Sequence, residues 1–242
     1  MPGHLLKHAH SLPITGHPWL LGLVDVGTAF WLVLYVVAII EGFRRRTYAL
    51  PLVAIAANFS WELIAAVYRV APVALWRIGD ILWLCLDAAI VSTLLRYGPA
   101  QQQIPEVRRG FYPLVALTFL LALVTQLALE QALNDEWGFL DAYLISVMMS
   151  ILFFFMYFAR RTQDDLSYAV AWCKFLGNGL TSAGFVLLYP LLDGPPASRF
   201  LLYTLCLTNV ALDAAYVGLL ARARRLPAVS PTAASSRSAS AT

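Results

Sequence analysis

The chain has 242 residues, of which 60% are hydrophobic and only 13% charged, with a mean hydropathy of +0.69. Soluble domains run at about half apolar and a quarter charged, so an ordinary water-soluble fold is excluded and lipid is the expected solvent for most of the chain. The net charge of +3 carries no nucleic-acid signal, because the basic residues gather in the loops between apolar runs.

Residues 1–18 hold four histidines, His4, His8, His10 and His17, with Lys7 as the one basic residue. No Cys or carboxylate joins them at ligand spacing, so a solvated extracytoplasmic segment is expected rather than a metal site. No short apolar stretch ends there in a small-residue cleavage site, so the first span is expected to persist. Apolar runs then recur at Trp19–Ile40, Ala49–Tyr68, Ile78–Leu95, Phe111–Leu129, Phe139–Ala159, Ala169–Leu192 and Phe200–Leu220. Each is long enough to cross a hydrocarbon core of about 30 Å as a helix. The expectation is an all-α bundle of seven transmembrane helices over residues 19–222, followed by a disordered Ser/Ala/Pro-rich tail over 223–242.

Basic residues near span ends are retained on the cytoplasmic side. Arg44, Arg45 and Arg46 follow the first span, Arg96, Arg108 and Arg109 the third, Arg160 and Arg161 the fifth, and Arg222, Arg224 and Arg225 the last. The alternate loops are poor in basic residues, and "EQALNDEWG" is acidic. This predicts an N-terminus outside and a C-terminus inside, in a bacterial cytoplasmic membrane. Cys85, Cys173 and Cys206 all fall within spans and read as small buried apolar side chains rather than a disulfide framework.

A charge at the bilayer centre costs about 2.5–3.5 kcal/mol on insertion scales, so the intramembrane polar residues are the informative ones. Residues three, four and seven apart share one helix face. Asn58, Glu62, Ala65 and Arg69 form such a stripe, as do Asp80, Trp83 and Asp87, then Lys174, Asn178 and Thr181, then Asn209, Asp213 and Tyr216. Four helices thus each present a polar line, and a shared interior cavity hides all four from lipid. Asp25 and Asp141 lie close enough to a span end to be solvated. The plain alternative is that these groups are interhelical hydrogen bonds without chemistry.

Glu62 in "NFSWE" and Asp213 in "NVALD" each follow an Asn by four residues, a spacing at which the amide can orient the carboxyl group. A carboxyl group in an apolar cavity can keep its proton near neutral pH and so act as an acid. Trp61, Trp83, Tyr68, Tyr216, Phe185 and Tyr189 offer ring faces that attract a cation. No DDxxD or NSE-type magnesium site is present, "TQDDLSY" at 162–168 reads as a solvated charge cluster, and there is no nucleophile elbow, P-loop or glycine-rich dinucleotide turn. No cofactor and no metal is expected.

With "NFSWE" in the second span, "LDAAY" in the seventh and "RIGDILWLCLDAAIV" in the third, the chain resembles the integral-membrane terpene cyclases of meroterpenoid and indole-diterpene pathways, the pyripyropene-cyclase type, over Trp19 to Leu220. The resemblance implies metal-free cyclisation of a prenyl chain, begun by protonation of a terminal epoxide or alkene. It places the two acids on Glu62 and Asp213 without saying which initiates. Asn58, Trp61, Asp80, Trp83, Asp87, Lys174, Asn178, Asn209 and Tyr216 are the expected substrate-binding residues, and the expected partners are a prenylated, farnesylated small molecule and the lipid bilayer. Two other readings stand beside it: a proton-coupled seven-helix transporter, for which there is no internal repeat and no Pro-Gln pair, and an assembly protein whose acids bind neighbouring helices.

Overall fold

The computed structural model describes residues 18–48, 50–69, 74–133, 135, 138–159, 167–192 and 196–225. They form helices α1 (Pro18–Arg45), α2 (Leu52–Val67), α3 (Ala74–Gln101), α4 (Pro105–Arg109), α5 (Phe111–Leu133), α6 (Phe139–Ala159), α7 (Tyr168–Leu188) and α8 (Pro196–Arg225), with no strand among the described residues. The protein is all-α. Among the described residues α1, α3, α5, α6 and α8 are long and apolar enough to cross a membrane. The 16-residue α2 is apolar but shorter, and α7, which carries Lys174, Asn178, Thr181 and Ser182, falls outside that group.

Local chemistry sets the helix ends. Arg46, with φ 54°, leaves the helical region and ends α1. The Ser167 hydroxyl accepts the Val170 N–H at 3.3 Å and caps α7. Asp135 caps α6, its two carboxyl oxygens each accepting a backbone N–H at 3.0 Å, from Phe139 and Asp141. The sequence reading missed α4, a single turn with Pro105 opening it and Arg108 and Arg109 in its last turn.

Three further expectations need correction. The sixth apolar run, Ala169–Leu192, is not one helix: α7 ends at Leu188 and a 3-10 turn covers Tyr189–Leu192, where Pro190 lacks the N–H that would continue the α-helical ladder. The last helix continues to Arg225, so residues 223–225 are helical rather than part of a tail. Cys85 is exposed rather than buried. The N-terminal histidines, Arg160 and Arg161, the acids of "TQDDLSY" and the chain beyond Arg225 lie outside the described residues.

Large apolar side chains cover the outside, among them Leu120, Leu121, Phe155, Phe158 and Phe200, a surface that suits acyl chains and not water. Inside, Leu34, Ile55, Ile90, Leu94 and Met149 join α1, α2, α3 and α6 in one core. A smaller core of Leu140, Leu202, Leu205 and Cys206 joins α6 to α8. Close approach of α1 and α7 depends on glycine. A Cβ on Gly177 would stand 2.8 Å from Trp31 Cδ1 and 3.1 Å from the Gly27 carbonyl oxygen. Small residues let backbones meet where lipid supplies no hydrophobic drive, and here they bring the polar line of α7 up to α1.

Candidate active site

A cavity of about 200 Å³ lies between α1, α2, α3, α6 and α7. Six aromatic side chains line it: Trp31 and Tyr35 from α1, Trp61 from α2, Trp83 from α3, Tyr143 from α6 and Phe185 from α7. Tyr35 and Trp83 meet edge to face with centroids 4.8 Å apart. The polar groups on the wall are few: Thr28 from α1, Asn58 and Glu62 from α2, Ser146 from α6, and Asn178 and Thr181 from α7.

Glu62 is 6% exposed, and its Oε2 is buried without a hydrogen-bond partner. Asn58 does not hold it. The Asn58 amide donates instead across the bundle, to the Tyr35 hydroxyl on α1 and to Asp87 Oδ2 on α3 at 3.1 Å. This corrects the expected i,i+4 pairing, and the reason is geometric. A neighbouring helix brings acceptors onto the same face at hydrogen-bonding distance, and they compete with the turn above. Asp87 is buried, Asp80 is partly exposed, and neither lines the cavity.

Asp213 is differently placed. Lys174 Nζ stands 2.7 Å from its Oδ1 and Asn178 Nδ2 donates to its Oδ2 at 2.6 Å. The Ser150 hydroxyl lies 2.7 Å from Asp213 Oδ1 and 2.8 Å from Asn209 Oδ1, and receives a bond from Lys174. Asn209 donates to the Ser146 hydroxyl at 2.8 Å. Asn178 closes the circuit, its Oδ1 accepting Trp31 Nε1 at 3.1 Å. A carboxylate with a cation and two neutral groups around it has the partners that a buried charge requires. Of this network Trp31, Ser146 and Asn178 line the cavity, and Asp213 stands behind them. The two acids therefore occupy unlike surroundings: one bare on the wall, the other paired behind it.

At one end of the cavity a clasp fixes Trp61. Its indole N–H donates to the Gly138 carbonyl at 3.0 Å, and the Arg69 guanidinium lies 4.4 Å above its ring. Arg69 also pairs with Glu130 on α5. Gly138 has φ +68°, which favours glycine. Burial pushes the Asp135 carboxyl above its ordinary value, against the backbone N–H donors of Asp141, Phe139 and Leu140 that pull it down.

Of the residues singled out in the sequence, Asn58, Trp61, Glu62, Trp83, Asn178, Thr181 and Phe185 meet at the cavity. Lys174, Asn209 and Asp213 form the network behind it. Tyr216 is buried against Phe153 and Phe154, away from the cavity wall. Sequence reasoning missed Trp31, Tyr35, Tyr143, Ser146 and Ser150. The available signal was the spacing of Ser146 and Ser150, four apart on one face of a predominantly apolar helix. Asp141, expected to be solvated, is 0% exposed.

With this geometry in place, comparison with known proteins gives a consistent result. A sequence model of the Pyr4-like transmembrane terpene cyclases matches residues 17–226. The terpene cyclase ascF of Acremonium egyptiacum is 29% identical over 46% of this chain and 38% of its own length. The terpene cyclase macJ of Penicillium terrestre is 22% identical over 65% of this chain and 62% of its own. The terpene cyclase pyr4 of Aspergillus fumigatus is 24% identical over 61% of this chain and 62% of its own. The chain thus spans between 38% and 62% of the length of these relatives. They are fungal, and lend no support to a bacterial cytoplasmic membrane. No solved structure matches the chain.

Proposed function

The chain belongs to the Pyr4-like transmembrane terpene cyclases, and from that membership we propose that it cyclises a prenylated, farnesylated small molecule, with Glu62 as the initiating acid. The observation that carries this reading is the bare Glu62 Oε2 on the wall of an aromatic cavity. An unpaired carboxylate is costly to bury, a neutral carboxylic acid far less so, and a carboxylic acid has a proton to give.

Glu62 transfers that proton to the terminal epoxide oxygen or alkene of the substrate. A tertiary cation opens, the internal double bonds attack in sequence, and the ring faces of Trp31, Tyr35, Trp61 and Trp83 stabilise the moving charge. Loss of a proton from carbon ends the sequence, and the Glu62 carboxylate accepts it, so the product is an isomer of the substrate and the acid is restored. Asp213 is the partner acid. Paired with Lys174, it accepts from the Asn178 amide and fixes that residue at the wall. The cavity folds the chain into a reactive arrangement before protonation. Seven spans, with α2 and α7 completing the five apolar helices, and a cytoplasmic C-terminus agree with the arginine distribution.

The test incubates membranes carrying the protein with a farnesylated aromatic, with and without its terminal epoxide, in the presence of a chelator. Cyclised product at undiminished rate with chelator is expected. Glu62→Gln should lower the rate by roughly 10²-fold or more while the protein remains inserted. A Glu62→Gln protein that cyclises as fast as the parent removes Glu62 from the role.

A further inference from the structure

A second cavity, of about 450 Å³, lies between α2, α5 and α6. Its walls are mainly apolar, and two of the residues that form them, Val53 and Leu121, are 45% and 56% exposed on the outer face, so it is accessible from the lipid side. Two polar residues lining it are buried and incompletely satisfied. Asp141 is 0% exposed, and neither of its carboxyl oxygens has a hydrogen-bond partner. Gln126 is 3% exposed; its amide nitrogen donates to the Ala57 carbonyl while Oε1 has no partner. Asp141 is also held in place, since its own N–H is bound by Asp135 Oδ2 at 3.0 Å. Buried polar groups in folded proteins are nearly always partnered, and three unmatched oxygens on two side chains in a mainly apolar cavity call for a ligand that carries a donor.

The two cavities are neighbours, because Ile145 lines both. The central one, at about 200 Å³, is smaller than the roughly 300–1,000 Å³ of typical ligand pockets. A prenyl chain with a head group needs more room than the central cavity provides. We propose that the α2–α5–α6 cavity is the head-group subsite of the substrate, that the head group is hydroxyl-bearing, and that its hydroxyl shares its one proton between Asp141 and Gln126 Oε1 in a three-centre hydrogen bond while the prenyl chain passes Ile145 toward Glu62. This rests on the cyclase reading above and adds the chemical class of the head group. It also gives a route by which a substrate dissolved in lipid arrives with its reactive end foremost.

The test is a binding measurement on the Glu62→Gln protein in nanodiscs, with radiolabelled 4-farnesylphenol and its methyl ether as probes. The ether, which lacks the donor, should bind roughly two- to tenfold more weakly, the worth of one hydrogen bond. Asp141→Leu and Gln126→Leu should each shrink that preference while leaving ether binding intact. Ala122→Phe, which fills the cavity without altering either polar group, should abolish phenol binding, and keeps the test decisive if a polar variant fails to fold. Equal affinity for phenol and ether, a preference that survives in both leucine variants, or phenol binding undisturbed by Ala122→Phe would each overturn the proposal and leave the cavity to lipid chains. A preference for the phenol without cyclised product from the parent protein would sink the reaction and spare the subsite; product without the preference would do the reverse.

Discussion

Lys174 Nζ lies 2.7 Å from Asp213 Oδ1, with only 3% and 4% of the two side chains exposed. A buried pair gains little over a well-packed apolar pair, but breaking one is costly because the survivor is left charged and alone. Lys174→Met should therefore lower stability by about 3–5 kcal/mol, read as a fall in Tm of the detergent-purified protein. Adding Asp213→Leu should restore much of the loss. If Lys174→Met alone melts with the parent, the two groups are not a charged pair.

The meeting of α1 and α7 at Gly177 gives a second prediction. A Cβ there would press on Trp31 Cδ1 at 2.8 Å and on the Gly27 carbonyl at 3.1 Å, and backbone cannot move aside as a flexible side chain can. Gly177→Ala should cost about 1–3 kcal/mol and shift Trp31 from the cavity wall. Two residues on, Gly179 has nothing within 4 Å of a Cβ, so Gly179→Ala should be neutral or stabilising by up to about 1 kcal/mol. Thermal unfolding of the two variants side by side checks the contrast.

The polar faces of α2, α3, α7 and α8 were legible in the sequence because a carboxyl group or a lysine in an apolar helix is rare and helical periodicity says which residues share a side. Partners across helices were not. Asn58 reads locally as the orienter of Glu62, yet Asp87 and Tyr35, distant in sequence, take its amide. Ser146 and Ser150 passed unremarked because serine in a membrane helix ordinarily bonds its own backbone, as Ser150 also does to the Ser146 carbonyl at 2.9 Å. Position along a span also misled. Asp141 sits in the first turn of α6, where water is the natural guess, but the packing of α2 and α5 against α6 closes over it, and no periodicity encodes that.

The clasp at Trp61 should separate a hydrogen bond from a charge. Trp61→Phe keeps a ring beneath Arg69 but removes the donor to the buried Gly138 carbonyl, an expected loss of about 1–3 kcal/mol. Arg69→Met removes the partner of Glu130, both side chains being little more than a tenth exposed. It should cost more than Trp61→Phe and raise the KM for substrate, because the end of the cavity loses its fixing. Tm and steady-state kinetics on both variants decide the ranking, which fails if Arg69→Met is the milder change.

Asn58 offers the last and sharpest test, because its two possible partnerships lead to different couplings. The amide nitrogen stands 3.1 Å from Asp87 Oδ2, while Glu62 Oε2, one turn further along the same helix, is without a bond. A double-mutant cycle of Asn58→Leu with Asp87→Leu should show a coupling within the range of about 0.5–3 kcal/mol seen for residues in contact, since each single change already breaks the bond between the two, and the second change cannot break it again. The parallel cycle of Asn58→Leu with Glu62→Gln should show a coupling below about 0.5 kcal/mol, as for sites without a shared bond. Unfolding measured by chemical denaturation in detergent reports both. The reverse ordering would return Asn58 to Glu62 and, with it, give the acid on the cavity wall a hydrogen-bond donor that would stabilise it as a carboxylate.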